Sequence, residues 1–309
     1  MAKKYIIDTD IGDDIDDAFA IAQAIDYGLE IIGVTTVFKN VLERTQIARK
    51  LLKLFNRSDI PVFCGLGEGL NGKLRTNERL CQWTEDLPEY AAEQDKDGAL
   101  AVDFLIESAA KYKDELVIMA IGPLTNIATA IKRAPEVMKG VGKVLLMGGD
   151  YSRQYCEWNI ICDLEASNVV FSSECPLVCV GYDVTVQTRM SQSEEKRVLE
   201  TDCNNEERAY LKELYTLWRK DRPETVRLEL HDPLTVYYEV NPSAFSMKEG
   251  KILLETSGTL TRGMTLDADV FDRRKGGKKI LFAESADILL FKKQFFEITC
   301  LINSDGNNR

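Results

Sequence analysis

The sequence of 309 residues predicts an α/β protein: a mostly parallel, open sheet of Rossmann-like type, flanked by helices, with a helical insertion and a small C-terminal β-hairpin. Three observations lead there. Short aliphatic runs (Tyr5 to Ile7, Glu30 to Val37, Glu115 to Ile121, Val144 to Met147, Leu177 to Gly181) alternate with longer stretches of helical period. These runs are apolar almost throughout, as strands buried on both faces are. Each closes on polar or glycine residues, which gathers polar groups at one edge of the sheet, where open α/β sheets bind ligands.

The first strand runs into IIDTDIGDDIDDAFAIA, which sets six carboxylates (Asp8, Asp10, Asp13, Asp14, Asp16 and Asp17) into ten residues. Gly12 permits a sharp turn there. Asp13 or Asp14 is expected to cap the helix that starts at Asp16, whose apolar face is Ala18, Ile21, Ala22 and Ile25. Converging carboxylates repel one another, so the cluster needs full solvation or a cation; the cation is the preferred reading. The second strand ends just before Asn40, a helix follows over Thr45 to Phe55, and Ile60 to Cys64 is a third, shorter strand.

Residues 65–80 read as a Gly-rich loop. Gly67 to Gly72 matches GxGxxG formally, but no apolar helical face follows, and Glu68 puts negative charge where a pyrophosphate would sit. Asp97 to Lys113 is an amphipathic helix; Glu115 to Ile121 is an interior strand that turns through Gly122 to Asn126 into a helix ending near Ile131. After Val144 to Met147 come Gly148 and Gly149, then a polar loop from Asp150 to Glu157. Asp163 to Phe171 is helical, and Asp183 follows the next strand. Residues 191–230 read as a helical insertion or lid standing apart from the sheet. Ile252 to Leu254 and Leu260 to Met264 are expected as antiparallel edge strands, the basic run 273–279 as an exposed turn, and 303–309 as a frayed tail. The whole, 1–309, reads as a single domain.

The formal charge of -11 argues against a nucleic-acid partner, because neutralising phosphates needs a basic face. No apolar run approaches a membrane span and no signal-peptide core precedes Asp8, so no membrane partner is expected and the cytoplasm is the expected compartment. The eight cysteines form no CxxC pair, and His231 is the single histidine, which leaves oxygen ligands for any metal. Taken together, the strand ends carry Asp8, Asp10, Asn40, Thr125, Asn126, Met147 and the Glu157-Trp158-Asn159 loop. Carboxylates and amides in such a set suit a hard cation beside a polyhydroxylated ligand such as a sugar.

With these pieces in order, the sequence resembles the inosine–uridine nucleoside hydrolase (ribohydrolase) family. Asp8-Thr9-Asp10 with Gly12, Asp16-Asp17-Ala18, the segment from Thr35-Thr36 to Asn40, Gly122 to Asn126, Leu146 to Gly149, Glu157-Trp158-Asn159 and His231-Asp232-Pro233 carry the likeness. The resemblance implies calcium-dependent hydrolysis of the N-glycosidic bond of ribonucleosides, giving ribose and free base in purine and pyrimidine salvage, by a homodimer or homotetramer. It also implies roles. Asp10 would touch the calcium and take a proton from the water that attacks C1′ through an oxocarbenium-like transition state. Asp17, Asp232 and the Thr125 carbonyl would complete the metal site, with Asp8 and Asp14 in support. Asp16, Asn40, Met147, Glu157, Trp158 and Asn159 would hold the substrate, and His231 would assist departure of the base. Trp83, Tyr215 and Trp218 also offer rings for stacking, although Trp158 has the best-placed neighbours.

The chain departs from the family pattern in the acidic turn. Ile11 stands where Pro is common, and three residues, Asp13-Asp14-Ile15, separate Gly12 from the Asp16-Asp17 pair where the family has one. Asp13, Asp14 and Asp16 are therefore alternatives for touching ribose. Two other readings compete. One is a non-catalytic binder of calcium and ribosides; the other is a haloacid-dehalogenase-like phosphohydrolase, because Asp8-Thr9-Asp10 mimics that family's nucleophile motif, though Gly12 occupies the place of its Thr or Val.

Overall fold

Lys4–Thr9 (β1) is buried from Tyr5 onward, and its side chains alternate between two cores. Tyr5 and Ile7 belong to one, Ile6 to the other, as the two-residue period of a central strand requires. The computed structural model describes residues 2–72, 79–153, 155–202, 205–220, 222–271 and 276–299. Asp16–Asp26 (α1), Ile31–Thr36 (β2), Val41–Leu54 (α2), Val62–Phe63 (β3), Ala99–Tyr112 (α3), Leu116–Ala120 (β4), Thr125–Arg133 (α4), Pro135–Met138 (α5) and Lys143–Met147 (β5) follow in alternation. Next come Trp158–Cys162 (α6), Leu164–Ser172 (α7), Leu177–Val180 (β6), Tyr182–Thr185 (α8), Gln192–Glu200 (α9), Glu206–Lys220 (α10) and His231–Val240 (α11). The chain closes with Phe245–Leu254 (β7), Thr265–Asp267 (β8), Ala268–Phe271 (α12), Lys278–Ala286 (β9) and Ile288–Thr299 (α13).

Among the described residues the strands form one sheet in the order β3-β2-β1-β4-β5-β6-β9-β7-β8. All pairings from β3 to β9 are parallel, and β7 runs antiparallel to both β9 and β8. The mostly parallel open sheet is therefore as expected. Its order reverses between β1 and β4, which opens a crevice beyond the carboxyl ends of those two strands. Asp8 to Asp10 leave β1 at that crevice, and Ile121-Gly122 leave β4 there. Gly122 is required by the close approach: a Cβ on it would stand 2.9 Å from both the amide nitrogen and a carboxylate oxygen of Asp10.

Three expectations need correction. The helix α1 is not capped by Asp13 or Asp14; Ile15 occupies the cap position without a side-chain hydrogen bond. The physical reason is competition: Asp13 is drawn to Arg44, and Asp14 to Trp218 and Arg222. The insertion does not stand apart. Tyr210, Leu211, Leu214, Tyr215 and Trp218 of α10 lie in the same core as Phe19 of α1, because the polar look of that helix hides a full apolar stripe. The edge strand expected at Leu260 to Met264 is instead β8, at Thr265–Asp267, paired with the end of a longer β7. The basic turn at 273–275 and the tail at 303–309 lie outside the described residues.

Candidate active site

The acidic turn between β1 and α1 folds back on itself around Gly12, whose φ of 127° lies where only glycine sits without strain. A buried guanidinium pins it. Arg44 of α2 donates from Nη1 to the carbonyls of Asp10 and Ile11, from Nε to that of Phe38, and from Nη2 to the Asp13 carboxylate at 2.8 Å. From the other side Trp218 Nε1 and Arg222 Nη2 both reach Asp14 Oδ1, at 2.9 and 2.8 Å. Gln82 donates to the Asp14 carbonyl. Replacing Arg44 by Met should lower the unfolding free energy by about 3 kcal/mol, since buried carbonyls then lack donors. A urea titration with an unchanged midpoint would contradict this.

Within that scaffold the carboxylate oxygens of Asp16, Asp17 and Asp232 lie within 4.8 Å of one another, and all three side chains are buried. Asp16 and Asp17 open α1 and Asp232 opens α11, so two helix starts converge. Asp232 N donates to Asp16 Oδ2 at 3.3 Å, and the Thr9 hydroxyl donates to Asp17. Burial is the main reason these groups hold their protons. It pushes Asp10 to about 7 against the pull of Arg44, with Asp13, Asp14 and Asp16 adding to the rise. Burial likewise takes Asp16 to about 6, and raises Asp17 and Asp232 well above the ordinary range with help from their acidic neighbours. Four carboxylates in such a place ionise together only beside a cation, and an all-oxygen donor set fits a hard one. Beneath them Asp8 is fixed by Thr35 Oγ1 and Asn126 Nδ2, while its buried Oδ2 has no hydrogen-bond partner among the described residues. Burial raises Asp8 to about 7, against those two hydrogen bonds.

The cluster forms one wall of a cavity of about 230 Å³. Asp10, Asp13, Asp14, Asp16, Asp17 and Asp232 line it together with Met147, Glu157, Trp158, Asn159 and His231, so eleven of the expected residues meet in one place. Glu157 caps α6, accepting from the amides of Asn159, Ile160 and Gly149. Asn159 Nδ2 donates to the carbonyls of Ile121 and Met147, which ties the loop to the ends of β4 and β5. His231 is held twice: Nδ1 lies 2.7 Å from Thr185 Oγ1, and Nε2 lies 3.2 Å from Glu229 Oε2. Burial works against a charged ring, but the Glu229 hydrogen bond and the charges of Asp16, Glu229 and Asp14 outweigh it and raise the imidazole above its usual value.

Three expected residues do not line this cavity. Asn40 donates from Nδ2 to Glu43 and borders a separate depression with Arg79 and Trp83. Thr125 is buried, its hydroxyl donating to Asp163 and its carbonyl accepting from Thr129. Asp8 is fully buried and bonded to Thr35 and Asn126, outside the lining. Of the other aromatic candidates, Tyr215 is a core residue stacked on Phe19 and Trp218. Sequence reasoning missed Tyr155 and Tyr182, which line the cavity, as well as Arg44 and Glu229. Tyr182 was findable, because it lies two residues past the end of β6; Tyr155 lies two residues before Glu157.

A family model described as inosine-uridine preferring nucleoside hydrolase matches residues 5–293. The chain is 34% identical over 283 residues to a protein named probable uridine nucleosidase 2 from Arabidopsis thaliana, covering 85% of each chain. Among solved structures, a plant nucleoside hydrolase superposes with a TM-score of 0.81 at 28% identity, over 97% of this chain and 99% of its own. A purine-preferring ribonucleoside hydrolase from Gardnerella vaginalis gives 0.79 at 30% identity, over 97% and 99%.

Proposed function

Because the chain belongs to the inosine-uridine preferring nucleoside hydrolase family, we infer that it is an enzyme hydrolysing the N-glycosidic bond of ribonucleosides, and we propose that it does so with calcium. The observation that carries the metal is the buried Asp16, Asp17 and Asp232 triad with Asp10 beside it. Asp10, Asp17 and Asp232 would hold the ion, with the Thr125 carbonyl as a further oxygen ligand, and Asp16 shares their cradle. When bound, the calcium supplies positive charge that eases ionisation of water and grips vicinal hydroxyls.

The protein's own groups account for the rest. Asp10, whose carboxylate lines the cavity beside the triad, takes the proton of the water that attacks C1′. Asp16, Asp14 or Asp13 on one side and Glu157 and Asn159 on the other hold the ribose hydroxyls. Their charges and dipoles favour the positive charge that develops on the sugar ring. Trp158, 53% exposed at the cavity wall, offers a ring to the base. His231 assists the leaving base, giving up its contact with Glu229 or Thr185 to do so.

Nucleoside salvage in the cytoplasm by a homodimer or homotetramer fits this reading; among the described residues no helix is long and apolar enough to cross a membrane. Sedimentation of the purified chain tests the assembly. The activity is tested with a panel of purine and pyrimidine ribonucleosides plus calcium, assayed for reducing sugar, with an aryl phosphate alongside. Ribose release and no phosphate release is expected. Phosphate release without nucleoside cleavage contradicts the reading, and so does tight riboside binding without free base.

A further inference from the structure

We propose that Glu229 is the positioning residue of His231: it fixes the imidazole so that Nε2 carries the hydrogen offered to the departing base. This rests on the reading of the cavity as a ribonucleoside site and extends it outward, since Glu229 lies behind His231 and outside the cavity lining.

Glu229 is built into place. The chain on both sides of it is fastened: the Leu228 amide donates to Glu195 Oε1 at 2.9 Å, the Leu228 carbonyl accepts from the Met190 amide at 2.7 Å, and the Leu230 amide donates to Thr188 Oγ1 at 2.7 Å. The carboxylate is fastened as well. Arg189 donates to its Oε1 from Nε at 2.7 Å and from Nη2 at 2.5 Å, which leaves Oε2 for His231 Nε2, 3.2 Å away. The Glu229 side chain is 15% exposed, so little water competes for that contact. Burial opposes its charge, but the hydrogen bonds and charges of His231 and Arg189 outweigh it and hold the carboxyl below its usual range.

An ionised carboxylate accepts and cannot donate, so the hydrogen in this contact belongs to His231 Nε2. The other ring nitrogen makes no such choice. Nδ1 lies 2.7 Å from the Thr185 hydroxyl, which is able to donate to it or accept from it. The shorter contact, at Nδ1, is the pivot of the ring; the longer one, at Nε2, is exchanged for the base. Nε2–H then offers a hydrogen bond to a nitrogen of the base, which takes the electron pair of the breaking C1′–N bond. One donor aimed at developing charge is worth about 10²- to 10³-fold in kcat. An amide in place of the carboxylate is able to donate to Nε2 and so select the wrong tautomer, which makes Gln a sharp probe of the role.

The test uses the full chain with calcium on inosine and on p-nitrophenyl riboside, whose phenolate leaves without such help, for wild type, Glu229→Gln, His231→Ala and the double variant. Glu229→Gln should lower kcat on inosine about 10²- to 10³-fold with KM little changed, because the contact is made only in the transition state, and the loss on the aryl riboside should be far smaller. His231→Ala should show the same pattern. The double variant should be no slower than His231→Ala, since the two residues act as a unit. Wild-type turnover of inosine by Glu229→Gln, an equal loss on both substrates, or a double variant slower than His231→Ala by the full Glu229→Gln factor would overturn the positioning role while leaving the hydrolase reading intact. A wild-type chain that cleaves neither substrate contradicts the hydrolase reading itself, and the positioning role falls with it.

Discussion

Asp10→Asn is expected to lower kcat by about 10²- to 10⁴-fold at saturating calcium, the contribution of a positioned general base. The substitution keeps size and removes the ability to accept a proton. Asp10 follows β1 directly, its carbonyl is held by Arg44, and Gly122 leaves room for its carboxylate. In the calcium-free chain burial chiefly raises its proton affinity to about 7, and a cation in the cradle lowers it, so that the ionised form is present at neutral pH. The calcium concentration must be raised until the rate no longer responds, because Asp10 also borders the cation cradle. A rate close to wild type under those conditions would refute its assignment as the base.

The second large effect couples activity to stability. Asp17→Asn should abolish calcium-dependent turnover, yet make the calcium-free chain more stable than wild type. Three buried carboxylates with oxygens within 4.8 Å of one another oppose folding unless protonated or neutralised, and the amide relieves that opposition. A thermal melt in chelator reads the second half of the prediction; a lower melting temperature than wild type would contradict it. The same electrostatics fix a sign for pH. Asp8 and Asp10 at about 7 and Asp16 at about 6 lie above the roughly 3.9 of an unfolded aspartate, so the folded chain binds more protons across that interval. Stability of the calcium-free chain therefore falls as pH rises from about 4 to about 7, being fullest on the acid side. Melting in chelator should occur at higher temperature at pH 5 than at pH 8, and added calcium should recover the loss at pH 8.

The parallel sheet was legible in the sequence because its strands are buried on both faces and read as continuous apolar runs. The C-terminal region was not. β7, FSMKEGKILL, fully buries only Ile252, and β9, KKILFAESA, buries only part of its length, so neither carries the signature of an interior strand. The acidic turn was legible as chemistry, since carboxylates converging at a strand end need either full solvation or a cation. The fate of Asp13 and Asp14 was not legible, because Arg44, Trp218 and Arg222 reach them from 31, 204 and 208 residues away along the chain. Local capping rules favour an Asp at a helix start; a buried guanidinium and an indole N–H outbid them. Asn40, placed at a strand end by the same reasoning that placed Asp10, turns instead toward Glu43. Position along a strand selects the edge of the sheet but not the direction of a side chain in the loop beyond it.

The most direct test of the cradle is ribose release from inosine or uridine by the chelated chain as calcium is titrated back, run in parallel on wild type and Asp232→Asn. Turnover in the wild type should rise from baseline and saturate, with the variant remaining at baseline across the same range. Turnover that is full in chelator, or a variant that responds to calcium as the wild type does, would contradict the assignment of the acidic turn and Asp232 as the metal and ribose cradle.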